Sequence, residues 1–181
     1  MAAPSRQVAL LRGINVGRNK RIAMADLRAL LEDVGYTDVR THLQSGNAIF
    51  SSPARPDEVV RTLEEGIARS FSLEVAVVVR TGKQLAAVVE ANPLGDVATD
   101  PAKHLVGFLG GAPDWDGVRD LEQEDFAPNL VRLIGREVHL WCPNGVLGSP
   151  FGRVDWDQRL GVPVTMRNWR TVTKLLELAR D

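Results

Sequence analysis

Cysteine is nearly absent from this sequence, because its 181 residues contain only Cys142. A single cysteine cannot form an internal disulfide, which excludes a disulfide-stapled secreted scaffold and is typical of a reducing compartment. No apolar run approaches the roughly 20 residues of a membrane-spanning helix. The first residues also lack the apolar core of a secretory signal. We therefore expect a cytoplasmic globular protein with no membrane segment.

Acidic residues are missing from the first 25 positions, although the chain contains 23 of them. That stretch carries five bases, which are Arg6, Arg12, Arg18, Lys20 and Arg21. The net charge of −1 excludes a strongly basic coat for nonspecific nucleic-acid binding. The local excess of positive charge instead indicates a surface for an anionic ligand, and charge scattered over solvated faces is the alternative.

The hydrophobic pattern of the first 81 residues predicts four strands and two helices. Apolar residues at helical spacing predict helices from Met24 to Val34 and from Pro56 onward. Alternating or β-branched runs predict strands at 7–11, 39–43, 47–51 and 75–79. The resulting order, β-α-β-β-α-β, is that of the ferredoxin-like unit.

The remaining residues repeat this order less clearly. Thr81 and Gln84 fit a capping box that begins a connector helix. Strands are expected at 105–109, 130–134, 137–141 and 162–165, and helices at 114–122, 151–160 and from Trp169. We therefore predict an α+β fold of two β-α-β-β-α-β (ferredoxin-like) halves. The predicted boundaries are 1–81 for the first half and 82–181 for the second, with its connector helix.

Two stretches carry a resemblance to a known family. The first comprises ALLRGINVG at 9–17, MADL at 24–27 and QSGN at 44–47, and the second is TMRNWRTVTKL at 165–175. Over nearly its whole length the chain resembles the bacterial family called domain of unknown function 1697. The resemblance implies an α+β fold with related halves and no established activity. One departure is GSPF at 148–151, which carries no charge where a basic, serine-containing stretch is expected.

The loop from Arg12 to Arg21 has the position of a phosphate-binding loop, after a strand and before a helix. Gly13 and Gly17 allow a ligand to approach the backbone closely. The spacing matches neither a Walker A loop nor the G-x-G-x-x-G fingerprint. We predict no cofactor. The alternative is a solvated connector.

In a ferredoxin-like sheet, strands one and two run parallel, and strand three lies between them. The loop after strand one and the turn between strands two and three therefore lie at the same sheet edge. The predicted ligand-binding residues at this edge are Arg12, Asn15, Arg18, Gln44, Ser45 and Asn47. Amides, a hydroxyl and guanidinium groups can bind a carboxylate, a phosphate or a base edge. Alternatively, these groups bond only the backbone of the turns.

A second basic set is predicted near the C-terminus. Arg167, Arg170 and Lys174 have i, i+3 and i+7 spacing, which predicts one face of a helix. This face either contacts phosphate or is only solvated. His42, His104 and His139 lack the spacing of metal ligands, and neither Ser45 nor Cys142 lies in a nucleophile motif, so we predict no metal site and assign no catalytic residue.

The sequence favours a cytoplasmic binding module for an anionic ligand, either a nucleotide or nucleic-acid phosphate. One alternative is an enzyme that acts on a small phosphorylated or carboxylated metabolite. Another is a structural or partner-interaction domain. The oligomeric state is left open by the sequence.

Overall fold

The computed structural model describes residues 3–180, apart from the side chain of Glu122. These residues form two compact units. The first contains the described residues of 1–87 together with those of 174–181, and the second contains residues 88–173. The predicted division at residues 81 and 82 stays a prediction.

The first unit contains a four-stranded antiparallel sheet. Its strands are β1 (Ser5–Leu11), β2 (Thr37–His42), β3 (Asn47–Ser52) and β4 (Val77–Thr81), in the order β2-β3-β1-β4. Two helices connect them, α1 (Met24–Asp33) and α2 (Pro56–Phe71), and α3 (Gly82–Glu90) follows β4. Because β1 and β2 each pair antiparallel with β3, they run parallel to each other, as predicted.

The core of this unit explains why α1 and α2 form where the periodicity predicts them. Leu27 and Leu31 of α1 and Leu63 and Ile67 of α2 are buried with Phe50 of β3. Each pair is four residues apart and therefore lies on one helix face. Burial of each of these side chains contributes about 1.5–3 kcal/mol, which outweighs the modest intrinsic propensity of short helices.

The second unit contains a sheet with the same topology. Its strands are β5 (His104–Leu109), β6 (Leu130–Ile134), β7 (Glu137–Trp141) and β8 (Val164–Asn168), in the order β6-β7-β5-β8. Helix α4 (Trp115–Gln123) lies between β5 and β6, and helix α5 (Trp156–Leu160) precedes β8. The last helix, α6, is Trp169–Arg180. The α+β fold with two ferredoxin-like halves is thus confirmed.

The expected helix over residues 151–160 is divided in two. A 3-10 helix covers Pro150–Arg153, and α5 begins only at Trp156. The side chain of Asp155 caps α5, accepting a hydrogen bond from the Gln158 N–H at 3.1 Å. This cap requires an extended backbone at Asp155, and the helical pattern is interrupted there.

The last strand of each sheet contains a buried arginine as its next-to-last residue, and the residue after it caps the following helix. Arg80 in β4 pairs with Val8 of β1, and Arg167 in β8 pairs with Val106 of β5. Each guanidinium donates to the carbonyl of the preceding residue, at 3.0 Å for Arg80 and 2.8 Å for Arg167. The next residues, Thr81 and Asn168, cap α3 and α6 by accepting backbone N–H bonds at 3.1 and 2.9 Å.

Candidate functional site

The loop after β1 and the turn between β2 and β3 meet at one edge of the first sheet. The Leu11 N–H donates to the Gly46 carbonyl at 2.8 Å, which joins the two segments through the backbone. The Asn15 side chain donates to the Gln44 carbonyl at 2.7 Å. The juxtaposition predicted from the topology is therefore present.

Asn15 holds the loop in shape with both ends of its amide. Its Nδ2 also donates to the Ile22 carbonyl at 2.9 Å, and its Oδ1 accepts the Ile22 N–H at 3.0 Å. The backbone N–H of Asn15 donates to the Lys20 carbonyl at 3.0 Å, which closes the loop further. Its φ of 55° is left-handed, a conformation that asparagine tolerates better than most residues. Asn15 is thus a positioning residue in this loop.

The side chain of Asn47 also makes hydrogen bonds within the protein. Its side chain has 0% exposure, and Nδ2 donates to the His42 carbonyl at 2.7 Å and to Ser45 Oγ at 3.1 Å. These bonds hold the β2–β3 turn, in which Gly46 has a φ of 83°. A Cβ at Gly46 would lie 2.7 Å from Ile14 Cδ1, so the turn packs closely against the loop.

The basic residues of the loop are exposed, and they line two different surface cavities. One cavity of about 430 Å³ is lined by Arg12, Lys20, Glu64, Ala68, Glu74, Val75 and Ala76. Lys20 Nζ donates to the Glu74 carbonyl at 2.7 Å within this group. The two glutamates offset the positive charge there, which weakens attraction for an anion.

The other cavity, of about 510 Å³, is lined by Asn15, Arg21, Ile22, Ala23 and Gln44. None of these five residues is acidic. The Arg21 guanidinium reaches the Gly17 carbonyl at 3.5 Å, and the side chain is otherwise exposed. Arg18 is exposed on the same loop, without a hydrogen bond or ion pair to another described residue. We call this the Arg21 cavity.

Two aliphatic side chains next to these residues are exposed. Val16 in the loop is 70% exposed, and Leu43 in the turn is 56% exposed. Leu43 also has a left-handed φ of 61°, which is uncommon for leucine. The rim at this sheet edge is therefore both basic and apolar. Sequence reasoning listed Arg21 within the loop but did not select it as a ligand-binding residue, because the lining depends on how the loop folds back.

The C-terminal basic set does not form one helix face. Arg167 belongs to strand β8 and is buried, and it donates to Thr165 Oγ1 at 2.9 Å. Burial lowers the pKa of its guanidinium to about 10. The helical-face prediction is wrong for Arg167 because the strand continues to Asn168, which caps the helix. Arg170 is exposed in the first turn of α6, and Lys174 bonds Glu177 Oε1 at 2.8 Å.

The second unit contains a buried pair of imidazoles. His104 Nε2 and His139 Nδ1 lie 3.2 Å apart and share a hydrogen bond, and each residue is 1% exposed. Trp169 stacks on His104 with ring centroids 4.6 Å apart. Burial lowers the pKa of both imidazoles to about 4, so both are neutral near pH 7. Within residues 3–180, leaving aside the side chain of Glu122, no cluster of three or more His, Cys, Asp or Glu side chains suited to a metal ion occurs.

Cys142 is buried with 0% exposure. Burial raises the pKa of its thiol, which disfavours the reactive thiolate.

Across residues 3–180, every helix is too short or too polar to cross a membrane.

Comparison with known proteins relates the chain to one family. The family model described as "Protein of unknown function (DUF1697)" matches residues 5–139. No curated protein matches the chain. Among solved structures, the conserved bacterial protein SP0830 from Streptococcus pneumoniae is similar in fold, with 22% identity, a TM-score of 0.81, and 98% of this chain and 99% of that chain covered. The chain belongs to the DUF1697 family.

Proposed function

We propose that this protein is a cytoplasmic binding module for an anionic ligand, bound through a phosphate group at the Arg21 cavity. The observation that carries the proposal is a cavity of about 510 Å³ that is lined by the exposed Arg21 and by no acidic residue. Cavities of this size are typical of small-molecule sites. The ligand is a nucleotide or a nucleic-acid phosphate.

The local charge supports this choice of cavity. Arg18 adds a second cation on the same loop, and residues 3–25 contain no acid that would neutralise the pair. The cavity with Glu64 and Glu74 is less favourable for an anion, because these acids reduce the positive potential of Arg12 and Lys20. Gln44 is exposed and lines the Arg21 cavity, where its side-chain amide is a further donor.

The site supports phosphate recognition better than base recognition. Residues 12–23 and 43–46 contain no aromatic side chain on which a base could stack. Val16 and Leu43 offer only aliphatic contact at the rim. We therefore expect weak discrimination among bases and a strong dependence on salt.

The test is a titration of the full chain with ATP and with a fluorescein-labelled single-stranded oligonucleotide. Arg18→Ala combined with Arg21→Ala should weaken binding at least tenfold, because one charge-assisted hydrogen bond contributes about 1.5 kcal/mol or more. Arg61→Ala, at an exposed arginine of α2, is the matched control and should leave affinity unchanged.

Salt provides an independent measurement. Affinity should fall steadily when the salt concentration rises from about 50 mM to about 200 mM, as counterions compete for the phosphate contacts. If neither probe binds at low salt, or if the double variant and the Arg61 control bind equally well, the Arg21 cavity is not the phosphate site. Turnover of ATP would instead favour the enzymatic alternative.

A further inference from the structure

Arg28 of α1 is a cation without an acidic partner. Its guanidinium donates to Thr41 Oγ1 of β2 at 2.7 Å. Arg28 makes no ion pair and no other hydrogen bond with the described residues. A guanidinium has five N–H donors, so most of them are left for water or a ligand. The side chain is half-buried, and the bond to Thr41 therefore holds a positive charge at a defined place on the surface.

Both elements that hold this guanidinium lead directly to the Arg21 cavity. Thr41 of β2 precedes Gln44, a lining residue, by three positions, and three residues span at most about 10 Å. In the other element, Ala23 lines the cavity and directly precedes α1, in which Arg28 belongs to the second turn. Helical side chains tilt toward the N-terminus of their helix. The side chain of Arg28 thus tilts toward the cavity end of α1.

Two acids of α1 are close to Arg28 in sequence. Asp26 precedes it by two positions, and residues with that spacing do not face each other on a helix. Glu32 follows Arg28 by four positions and shares its helix face, but it is exposed and forms no ion pair with a described residue. Glu32 therefore reduces the positive potential at Arg28 without pairing with it.

We propose that Arg28 is a second phosphate subsite beside the Arg21 cavity, and that the ligand is a nucleic-acid strand rather than a mononucleotide. The inference rests on the proposed function, because it takes the Arg21 cavity as the first phosphate position. A nucleoside monophosphate has one phosphate group and occupies one position at a time. A stacked strand carries a phosphate about every 3.4 Å along its axis, so a few steps span a separation on the order of 10 Å.

Titration of the full chain with thymidine 5′-monophosphate and with an oligothymidylate of about ten nucleotides tests the proposal. The oligothymidylate should bind at least about tenfold more tightly, because it fills both positions. Arg28→Gln should weaken its binding at least about fivefold, since glutamine can still donate to Thr41 but has no charge. Unchanged affinity of this variant for the monophosphate shows that it is folded. Arg28→Lys keeps the charge and should stay within about threefold of the wild type.

Salt dependence distinguishes a phosphate contact from a structural role. Each contact on a single strand contributes about 0.7 to the slope of log affinity against log salt concentration, so Arg28→Gln should lower the slope by about that amount. Glu32→Gln should instead tighten oligothymidylate binding by about twofold, because it removes a negative charge beside Arg28. Arg61→Gln, at an exposed arginine of α2, is the matched control and should change neither affinity nor slope.

The outcomes separate this inference from the proposed function. Suppose that Arg18→Ala with Arg21→Ala weakens both probes, whereas Arg28→Gln changes neither the affinity nor the salt slope of the oligothymidylate. The Arg21 cavity is then a phosphate site, and the assignment of a strand is wrong. Equal affinity of the wild type for the two probes also overturns that assignment. If the double variant binds both probes like the wild type, the proposed function fails, and the second subsite fails with it.

Discussion

The substitution Asn15→Ala tests whether one side chain holds the loop of the Arg21 cavity. It removes two hydrogen bonds with Ile22, at 2.9 and 3.0 Å, and one with Gln44 at 2.7 Å. At about 1 kcal/mol for each bond, their loss lowers the free energy of unfolding by about 3 kcal/mol. Asn15 also has a φ of 55°, and alanine pays about 1 kcal/mol for the left-handed conformation. The expected total is about 4 kcal/mol.

Urea unfolding followed by circular dichroism measures this loss. Asn15→Gly keeps the backbone conformation accessible, so it should lose only about 3 kcal/mol, all of it from the hydrogen bonds. Asn19→Ala is the matched control, because Asn19 is exposed in the same loop, and it should change stability by less than about 0.5 kcal/mol. Alanine and glycine variants that both unfold like the wild type would refute the bridging role of Asn15.

Three further predictions follow from the packing. The pKa of His104 and His139 is about 4 in the folded protein and about 6.5 when unfolded, so the unfolded chain gains protons first as the pH falls. Stability should therefore decrease between pH 6.5 and 4 by an amount on the order of 3 kcal/mol for each imidazole. Urea unfolding of the His104→Gln/His139→Gln variant should show a shallower pH dependence, and equal slopes would contradict the assignment. Gly46→Ala should destabilise by about 2 kcal/mol or more, because its Cβ would lie 2.7 Å from Ile14 Cδ1 at a left-handed φ; a thermal midpoint equal to that of the wild type would argue against this close packing. Thr81→Ala should cost about 1 kcal/mol in urea unfolding, whereas Thr81→Ser should be nearly neutral because it retains the cap on the Gln84 N–H.

Much of the fold could be predicted from the sequence because its elements follow local rules. Periodicity located α1 through Leu27 and Leu31, which are both buried. Topology then placed the loop of Asn15 beside the turn of Gln44, since parallel strands β1 and β2 end at the same edge. These inferences need only the order of elements and the alternation of apolar residues.

The site was harder to predict because it depends on side-chain pairing. The sequence shows the amides of Asn15 and Asn47, but not that internal carbonyls accept their hydrogen bonds. Charge composition likewise does not show that Arg12 lines a cavity with two acids whereas Arg21 lines one with none. Glu64 and Glu74, the acids beside Arg12, are distant from it in sequence. Arg167 was assigned to a helix because its spacing to Arg170 fits one, and only the pairing with Val106 shows that it belongs to a strand.

The buried arginine in the last strand of each sheet marks matched positions in the two halves. Arg80 lies opposite Val8 and Arg167 opposite Val106, so the strand register supplies an alignment that weak similarity between the halves does not. Mutational results from one half can then be transferred to matched positions in the other. A position whose tolerance differs between the halves is one where the same topology places different demands on the side chain.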